Sequence, residues 1–299
     1  MIELRVLGTN AATPTKERGL CSVLAKLEGI SALFDAPEGV QRQMMIAKES
    51  MMRIKHIFIS HWHEDHFLGL YGMLQTMNLL EREEELSIWM PKPTSKQSEL
   101  FHSLIGLYEA KYPIKLKEIT QGELVHHKNI RISAFPLEHG VSCFGFKMEE
   151  EKPGKFNKTK AISLGVPEGP LFSKLQKGED ISINGKIIRS QDVVGPKRVK
   201  KICLVWDTRP TEDILSEIKN SDILLHETTF AEEEEERALE TLHSTTTGAA
   251  KIAKAANAKE LIGIHISARY KDTAELEQEM QKIFPKAHIA KEFETIQLR

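Results

Sequence analysis

The stretch IFISHWHEDHFLGL, residues 57–70, opens as an apolar strand. It then places three histidines and two acids within the six positions His61 to His66. Neutral imidazoles joined by a carboxylate are donors that zinc and similar borderline divalent ions accept. The run HIFIS reads as a buried strand, so His61 falls at its end and the following residues in a loop. A sheet can hold such a loop rigid and aim several ligands at one point. FLGLYGMLQTMNLL then starts a helix, whose first backbone amides favour a bound anion. A lone histidine is most often a packing or surface residue. Three within six positions, with Asp65 between them, are read here as a metal site.

Working outward, the 299 residues fit one two-layered α/β domain. Apolar content of 40% and charged content of 28% are those of a globular chain with material for a core. The formal net charge of −2 gives no overall pull toward nucleic acid, so any anion-binding surface must be local. Cys21, Cys143 and Cys203 are odd in number and far apart, unlike a disulfide framework or a thiolate zinc site. They read as buried free thiols in a reducing compartment. The start MIELRVLGTN lacks the basic and apolar regions of a signal peptide. No apolar run reaches the roughly 18 residues a membrane span needs. A cytoplasmic protein with no membrane partner is expected.

Short apolar runs predict strands in IELRVLG, CSVLAKLEG, ISALFDA, HIFIS, LSIWM and IRISAF, and later in ICLVWD, DILLHE, ELIGIHIS and AHIAKE. Helices are expected over about 38–49, 67–82, 97–110, 212–218, 244–256 and 273–282. Strands first, then strands and helices mixed in both halves, suggest two packed sheets with helices outside. Residues of about 150–201 break this rhythm, being rich in Gly, Pro and Lys with little core periodicity. They read as a flexible insertion into a single domain, carrying one hairpin-like segment, ISINGKIIR, whose Asn184-Gly185 suits a tight turn. Between Lys152 and Lys177 only Glu168 opposes six lysines, so either a solvated linker or an anion-binding arm fits. The acidic runs EREEEL (81–86) and AEEEEER (231–237) read as solvated helix ends or loops.

His-x-His-x-Asp-His resembles the signature of the metallo-β-lactamase superfamily, which implies an αβ/βα four-layer sandwich with two divalent metals on one edge. On that resemblance His139 in PLEHG, Asp207 in WDTRP and His265 in GIHIS supply the other ligands. His61, His63, His139 and Asp207 would hold one ion; Asp65, His66, Asp207 and His265 would hold the other. Fold alone leaves lactamase, glyoxalase and nuclease chemistry open. The blocks LGTNAATPTKERG, LFDAPEGVQRQM, LGVPEGPLFSKLQKGE, WDTRP, LLHETTF, HSTTTGAAKIAKAA and HISARY narrow it. Their order is similar to that of tRNase Z, the endonuclease that cuts the 3′ trailer from precursor tRNA, over Leu7 to Tyr270.

That resemblance implies two metal ions, most simply zinc, with Asp65 as both ligand and general base. It implies that His243, partnered by Glu227, protonates the leaving 5′-oxygen or stabilises its charge. The insertion resembles the exosite arm of long-arm members of the family, with Gly169-Pro170 at its tip. Such an arm grips the tRNA elbow, which makes Lys155, Lys158, Lys160, Lys174 and Lys177 substrate-binding candidates. Arg42 and Arg269 are further candidates for RNA contact. A homodimer is the family norm, and no DNA partner is expected.

Trp62, Glu64, Trp206, DAPEG and SARY depart from the usual pattern without removing a ligand. Two other readings carry the same motif. One is a hydrolase of small esters, thioesters or lactams; the other is a non-catalytic RNA-binding protein that keeps a metal for stability.

Overall fold

The computed structural model describes residues 2–106 and 110–298. Its larger unit, 1–127, 131–148 and 201–299, is built on two seven-stranded sheets. The first runs, in spatial order, Thr295–Gln297, Ile2–Gly8, Ser22–Leu27, Ile30–Phe34, Ile54–Phe58, Leu86–Met90 and Ile114–Glu118. The second runs Ala287–Ile289, Leu261–Ile264, Ile223–Glu227, Arg198–Val205, Cys143–Lys152, Ile130–Leu137 and Gly122–His127. Strands alternate their side chains between faces, so each sheet makes two apolar surfaces. Phe34 and Phe58 of the first sheet meet Phe146 of the second, with ring centroids 5.1 and 5.3 Å apart. On its other face the first sheet packs Leu33, Ile57 and Ile88 against Met44, Met73 and Met77 of helices Val40–Ile46 and Leu70–Leu79. The second sheet packs Val205, Leu224 and Leu261 against Ala250, Ala253, Leu276 and Met280 of helices Thr246–Ala255 and Ala274–Ile283. The result is the expected helix–sheet–sheet–helix sandwich.

Four strands in the second half of the first sheet are parallel, as are four in the second sheet. Parallel strands bring their carboxyl ends to one edge, where α/β folds place ligands.

Three expectations need correction. The helix after the histidines begins earlier, with a short turn at Glu64–Phe67 before Leu70–Leu79, so Asp65 and His66 are helical. The run 81–86 is not wholly solvated: Arg82 is buried and donates to the carbonyls of Met52, Ile54, Glu84 and Glu85. The helix expected over 97–110 is Ser95–Gly106, and positions 107–109 lie outside the described residues.

The smaller unit comprises 128–130 and 149–200. Helices Lys158–Ser163, Pro170–Gln176 and Ser190–Val193 enclose an apolar cluster with a hairpin, Ile181–Ile183 and Lys186–Ile188. Ala161, Val166, Leu175, Ile181, Ile188 and Val193 form that cluster. The hairpin turns at Asn184-Gly185, both left-handed at φ 50° and 78°, as a type I′ turn requires.

Candidate metal centre

Every candidate ligand follows the end of a strand in the larger unit. His61 to His66 follow Ile54–Phe58, His139 follows Ile130–Leu137, Asp207 follows Arg198–Val205, and His265 follows Leu261–Ile264. Two sets of donor atoms gather there. His61, His63, His139 and Asp207 form one, and Asp65, His66 and His265 the other, with the atoms of each set within 4.8 Å of one another. Asp207 spans both, its Oδ2 lying 3.6 Å from His61 Nε2 and 3.4 Å from His66 Nε2, its Oδ1 3.4 Å from His265 Nε2. Burial pushes the Asp207 carboxyl up, but His265, His66 and His61 outweigh it and hold the acid well below its usual range.

Hydrogen bonds on the far sides of the rings decide which nitrogens face inward. His66 Nδ1 donates to Asp35 Oδ2 at 2.7 Å. His61 Nδ1 lies 2.9 Å from Ser60 Oγ, which in turn donates to Asp35 Oδ2 at 2.8 Å. His265 Nδ1 lies 3.0 Å from Thr229 Oγ1, which donates to Glu227 Oε2 at 2.7 Å. His139 Nδ1 donates to the Leu242 carbonyl at 3.0 Å. Each arrangement anchors Nδ1 and leaves Nε2 as the nitrogen that can give up its proton and direct a lone pair at a bound cation. His61 Nε2 and His139 Nε2 then stand 3.0 and 3.2 Å from His63 Nδ1. His63 Nδ1 carries at most one proton, so it cannot fully satisfy both neighbours, whereas a cation between them accepts all three lone pairs. His66 Nε2, His265 Nε2 and Asp207 Oδ1 are also buried without a hydrogen-bond partner. Buried polar atoms require partners, and a divalent ion supplies one to each. The residues therefore fit metal binding.

Asp35 is a site residue that the sequence reading passed over. It is fully buried, left-handed at φ 60°, and also accepts from Ser60 N at 2.7 Å. One carboxylate thus orients a histidine of each ligand set. Asparagine cannot accept from both the Ser60 amide and the His66 ring while keeping its own N–H groups away from donors. Asp35→Asn is therefore expected to weaken metal affinity about 10–100-fold in a protein that still folds. Titration of the metal-free variant with zinc checks this; wild-type affinity would remove Asp35 from the site. Its loop is held against the histidine segment by Ala36 N to His66 O and Gly69 N to Ala36 O. A Cβ at Gly69 would stand 1.9 Å from the Pro37 carbonyl, so only glycine permits that approach.

His243 and Glu227 are brought together as expected, with His243 Nδ1 2.9 Å from Glu227 Oε1. Glu227 is fully buried and also accepts from the amides of Thr208, Thr229 and Ser244. Burial alone would lower the His243 pKa, but the Glu227 carboxylate raises it to about 9. His243 also shares a donor cluster with Asp207 and His265, so a charged imidazole faces the candidate centre. Asp65 accepts from the Ala12 amide at 2.9 Å.

The remaining candidates are dispersed. Lys155, Lys158, Lys160, Lys174 and Lys177 are exposed in the smaller unit, where Lys158 pairs with Glu168 at 2.8 Å. Gly169 precedes Pro170, which starts its helix. Arg42 lines a cleft with Lys16 and Arg18 in the larger unit. Arg269 is occupied by Glu234 at 2.5 Å and lies over the Phe230 ring. Trp62 and Trp206, the two indoles flanking the ligands in sequence, are both buried. Trp62 turns to the helix-side core, where its Nε1 donates to the Pro91 carbonyl.

Two packed sheets with a histidine–aspartate cluster at one edge define a metallo-β-lactamase-fold protein. Solved structures agree on the fold alone. Human tRNase Z, short form (ELAC1), superposes with a TM-score of 0.70 at 23% identity, covering 99% of both chains. The metallo-β-lactamase fold protein YhfI from Bacillus subtilis does so at 0.71 and 17%, covering 99% of this chain and 98% of that one. Sequence relatives go further. Ribonuclease Z of Methanosarcina mazei is 39% identical over 98% of this chain and 96% of its own length. That of Gemmatimonas aurantiaca is 41% identical over 99% and 95%. The chain belongs to the ribonuclease Z family, and through residues 2–152 it also matches the family described as Anti-Pycsar protein Apyc1.

Proposed function

We propose that this protein is a metal-dependent endoribonuclease that removes the 3′ trailer from precursor tRNA and leaves a 3′-hydroxyl on the tRNA. The observation that carries this is the Glu227–His243 pair set against two ligand groups that share Asp207. Its full-length likeness to ribonuclease Z chains supplies the substrate. His61, His63, His139 and Asp207 would hold one divalent ion and Asp65, His66, Asp207 and His265 a second. The imidazole-rich donor set favours zinc. When bound, such a pair of ions lowers the pKa of water and neutralises charge on phosphoryl oxygens.

The chain's own residues do the rest. Asp65, held by the Ala12 amide, orients the attacking water and accepts its proton. A 3′-hydroxyl product means that the P–O3′ bond breaks, so the leaving atom is the 3′-oxygen and not the 5′-oxygen expected from the sequence. His243 is charged through Glu227 and donates its proton there as the bond breaks. Glu227 is buried, and its bond to the half-buried His243 pre-orients the imidazole, so little reorganisation accompanies the transfer.

The smaller unit is proposed as the exosite arm of a long-arm member, binding precursor tRNA by shape. It carries eleven basic and seven acidic residues over 149–200, in a chain of net charge −2. Deleting 153–178 would strip Ala161, Val166 and Leu175 from Ile181, Ile188 and Val193, so charge substitution tests this more cleanly. Changing Lys155, Lys160, Lys174 and Lys177 together to glutamine should weaken tRNA binding about 10–100-fold and reduce the salt slope by about 3. Hydrolysis of a small phosphodiester should persist. Unchanged affinity and slope would remove the arm from substrate binding.

A homodimer is proposed through neighbouring helices Val40–Ile46 and Leu70–Leu79, which expose Met45 at 70% and Leu79 at 80%, together with Ile46, Leu68 and Leu80. Sedimentation should give a dimer that Leu79→Glu converts to a monomer. A wild-type monomer at micromolar concentration would end that reading. Three buried free cysteines suit a reducing, cytoplasmic setting. No helix among the described residues is long and apolar enough to cross a membrane.

The ester, thioester or lactam reading is not favoured. A substrate panel separates the two: the expected outcome is phosphodiester cleavage that a chelator abolishes, with no lactam or thioester turnover.

A further inference from the structure

Leu242 occupies a position that physical chemistry reserves for glycine. Helix Glu235–Glu240 ends with Thr241 as its C-cap, and Leu242, the next residue, is left-handed at φ 55°. Leu242 N donates to Leu239 O at 3.3 Å and His243 N to Ala238 O at 2.8 Å. Those two bonds, with a left-handed residue after the cap, form a Schellman turn, where glycine or asparagine is the usual occupant. A leucine there brings its Cβ against the following carbonyl oxygen. Residues in such conformations persist when their surroundings hold them, and they gather at functional sites.

The turn does two things at once. The Leu242 carbonyl accepts the Nδ1 proton of His139 at 3.0 Å, which leaves His139 Nε2 directed at His63 Nδ1 and Asp207. The next residue is His243, and the turn's second hydrogen bond, through the His243 amide, fixes where its ring meets Glu227. A right-handed or extended Leu242 would rotate its carbonyl away from His139 and redirect the chain at His243.

We propose that Leu242 is a positioning residue whose left-handed backbone sets the His139 tautomer and the placement of His243 together. This rests on the roles proposed above for His139 and His243, but the test is chosen to fail separately from them. The first readout is the ring nitrogens of His139 in metal-free protein, by nitrogen-15 NMR. Wild-type protein is expected to show a protonated Nδ1 and a bare Nε2. A protonated Nε2 would overturn the proposal whatever the enzyme cleaves.

The second readout is a series at position 242. Leu242→Gly and Leu242→Asn accept the left-handed conformation, so both should keep the His139 tautomer and raise Tm by about 2–4 °C. Leu242→Val puts a β-branched side chain there. It should lose the single tautomer and weaken zinc affinity about 10-fold or more. A folded valine variant with the wild-type tautomer and zinc affinity would reduce the turn to a helix cap and overturn the proposal. So would a glycine variant with no gain in Tm. The wild-type tautomer keeps the proposal open to refutation even if the valine variant does not fold.

Discussion

Asp65→Ala protein should bind precursor tRNA as tightly as wild type and cleave it at least about 10⁴-fold more slowly. Asp65 lies 3.4 Å from His66 Nε2 and 3.6 Å from His265 Nε2, so its loss opens one ligand set. It is also the carboxylate proposed to accept the water proton, a role worth about 10²–10⁴ in rate, with ligand loss adding about 10–100 in metal affinity. The proposed RNA-binding lysines are all in the other unit, which is why affinity is expected to survive. Filter binding alongside single-turnover cleavage separates the two effects. Wild-type cleavage would remove Asp65 from the chemistry, and a parallel collapse of tRNA binding would make it a substrate-binding residue instead.

The second large effect is expected at the Glu227–His243 pair. His243→Ala should lower single-turnover cleavage about 10²–10⁴-fold with little change in bound metal. Glu227→Gln should lower it by a comparable factor, because the neutral amide no longer holds the imidazole charged. Glutamine also turns an N–H group either to the Thr229 amide or to those of Thr208 and Ser244, so some stability is lost as well. Residues that act as one unit are non-additive, so the double variant should be hardly slower than either single one. Multiplying effects would mean that the two residues act independently.

The sandwich was largely legible in the sequence because its central strands are buried on both faces. Leu86–Met90 and Ile223–Glu227 are buried at every position, and such runs stand out as mostly apolar stretches, interrupted only by Ser87 in the first and ended by His226 and Glu227 in the second. Edge strands were less legible for the same reason. Ile114–Glu118 is mostly exposed and reads as alternating lysines, and Gly122–His127 has no buried residue. Cys143–Lys152 was hidden by its charged end, although Cys143, Phe146 and Met148 are buried. In the smaller unit the core residues other than Val166 come from helices of four to seven residues and three-residue strands. No window there is long enough to show a period.

The candidate site divides along a similar line. Residues proposed to touch a metal or a proton in flight carry chemistry in their side chains: spacing made His61 to His66 legible, and the family resemblance supplied His139, Asp207, His265, His243 and Glu227. Asp35, Ser60, Thr208 and Thr229 act through tertiary hydrogen bonds to those residues, and a sequence does not announce such partners. Leu242 and Ala12 act through backbone atoms at positive φ, and the glycine that would have flagged such positions is absent from both.

The most direct test is to incubate the metal-loaded protein with a precursor tRNA that carries a 3′ trailer and to map the new ends. The expected result is one endonucleolytic cut at the trailer boundary, a tRNA ending in a 3′-hydroxyl, and loss of the cut on chelation. A precursor left intact by protein shown to hold its metal would contradict it.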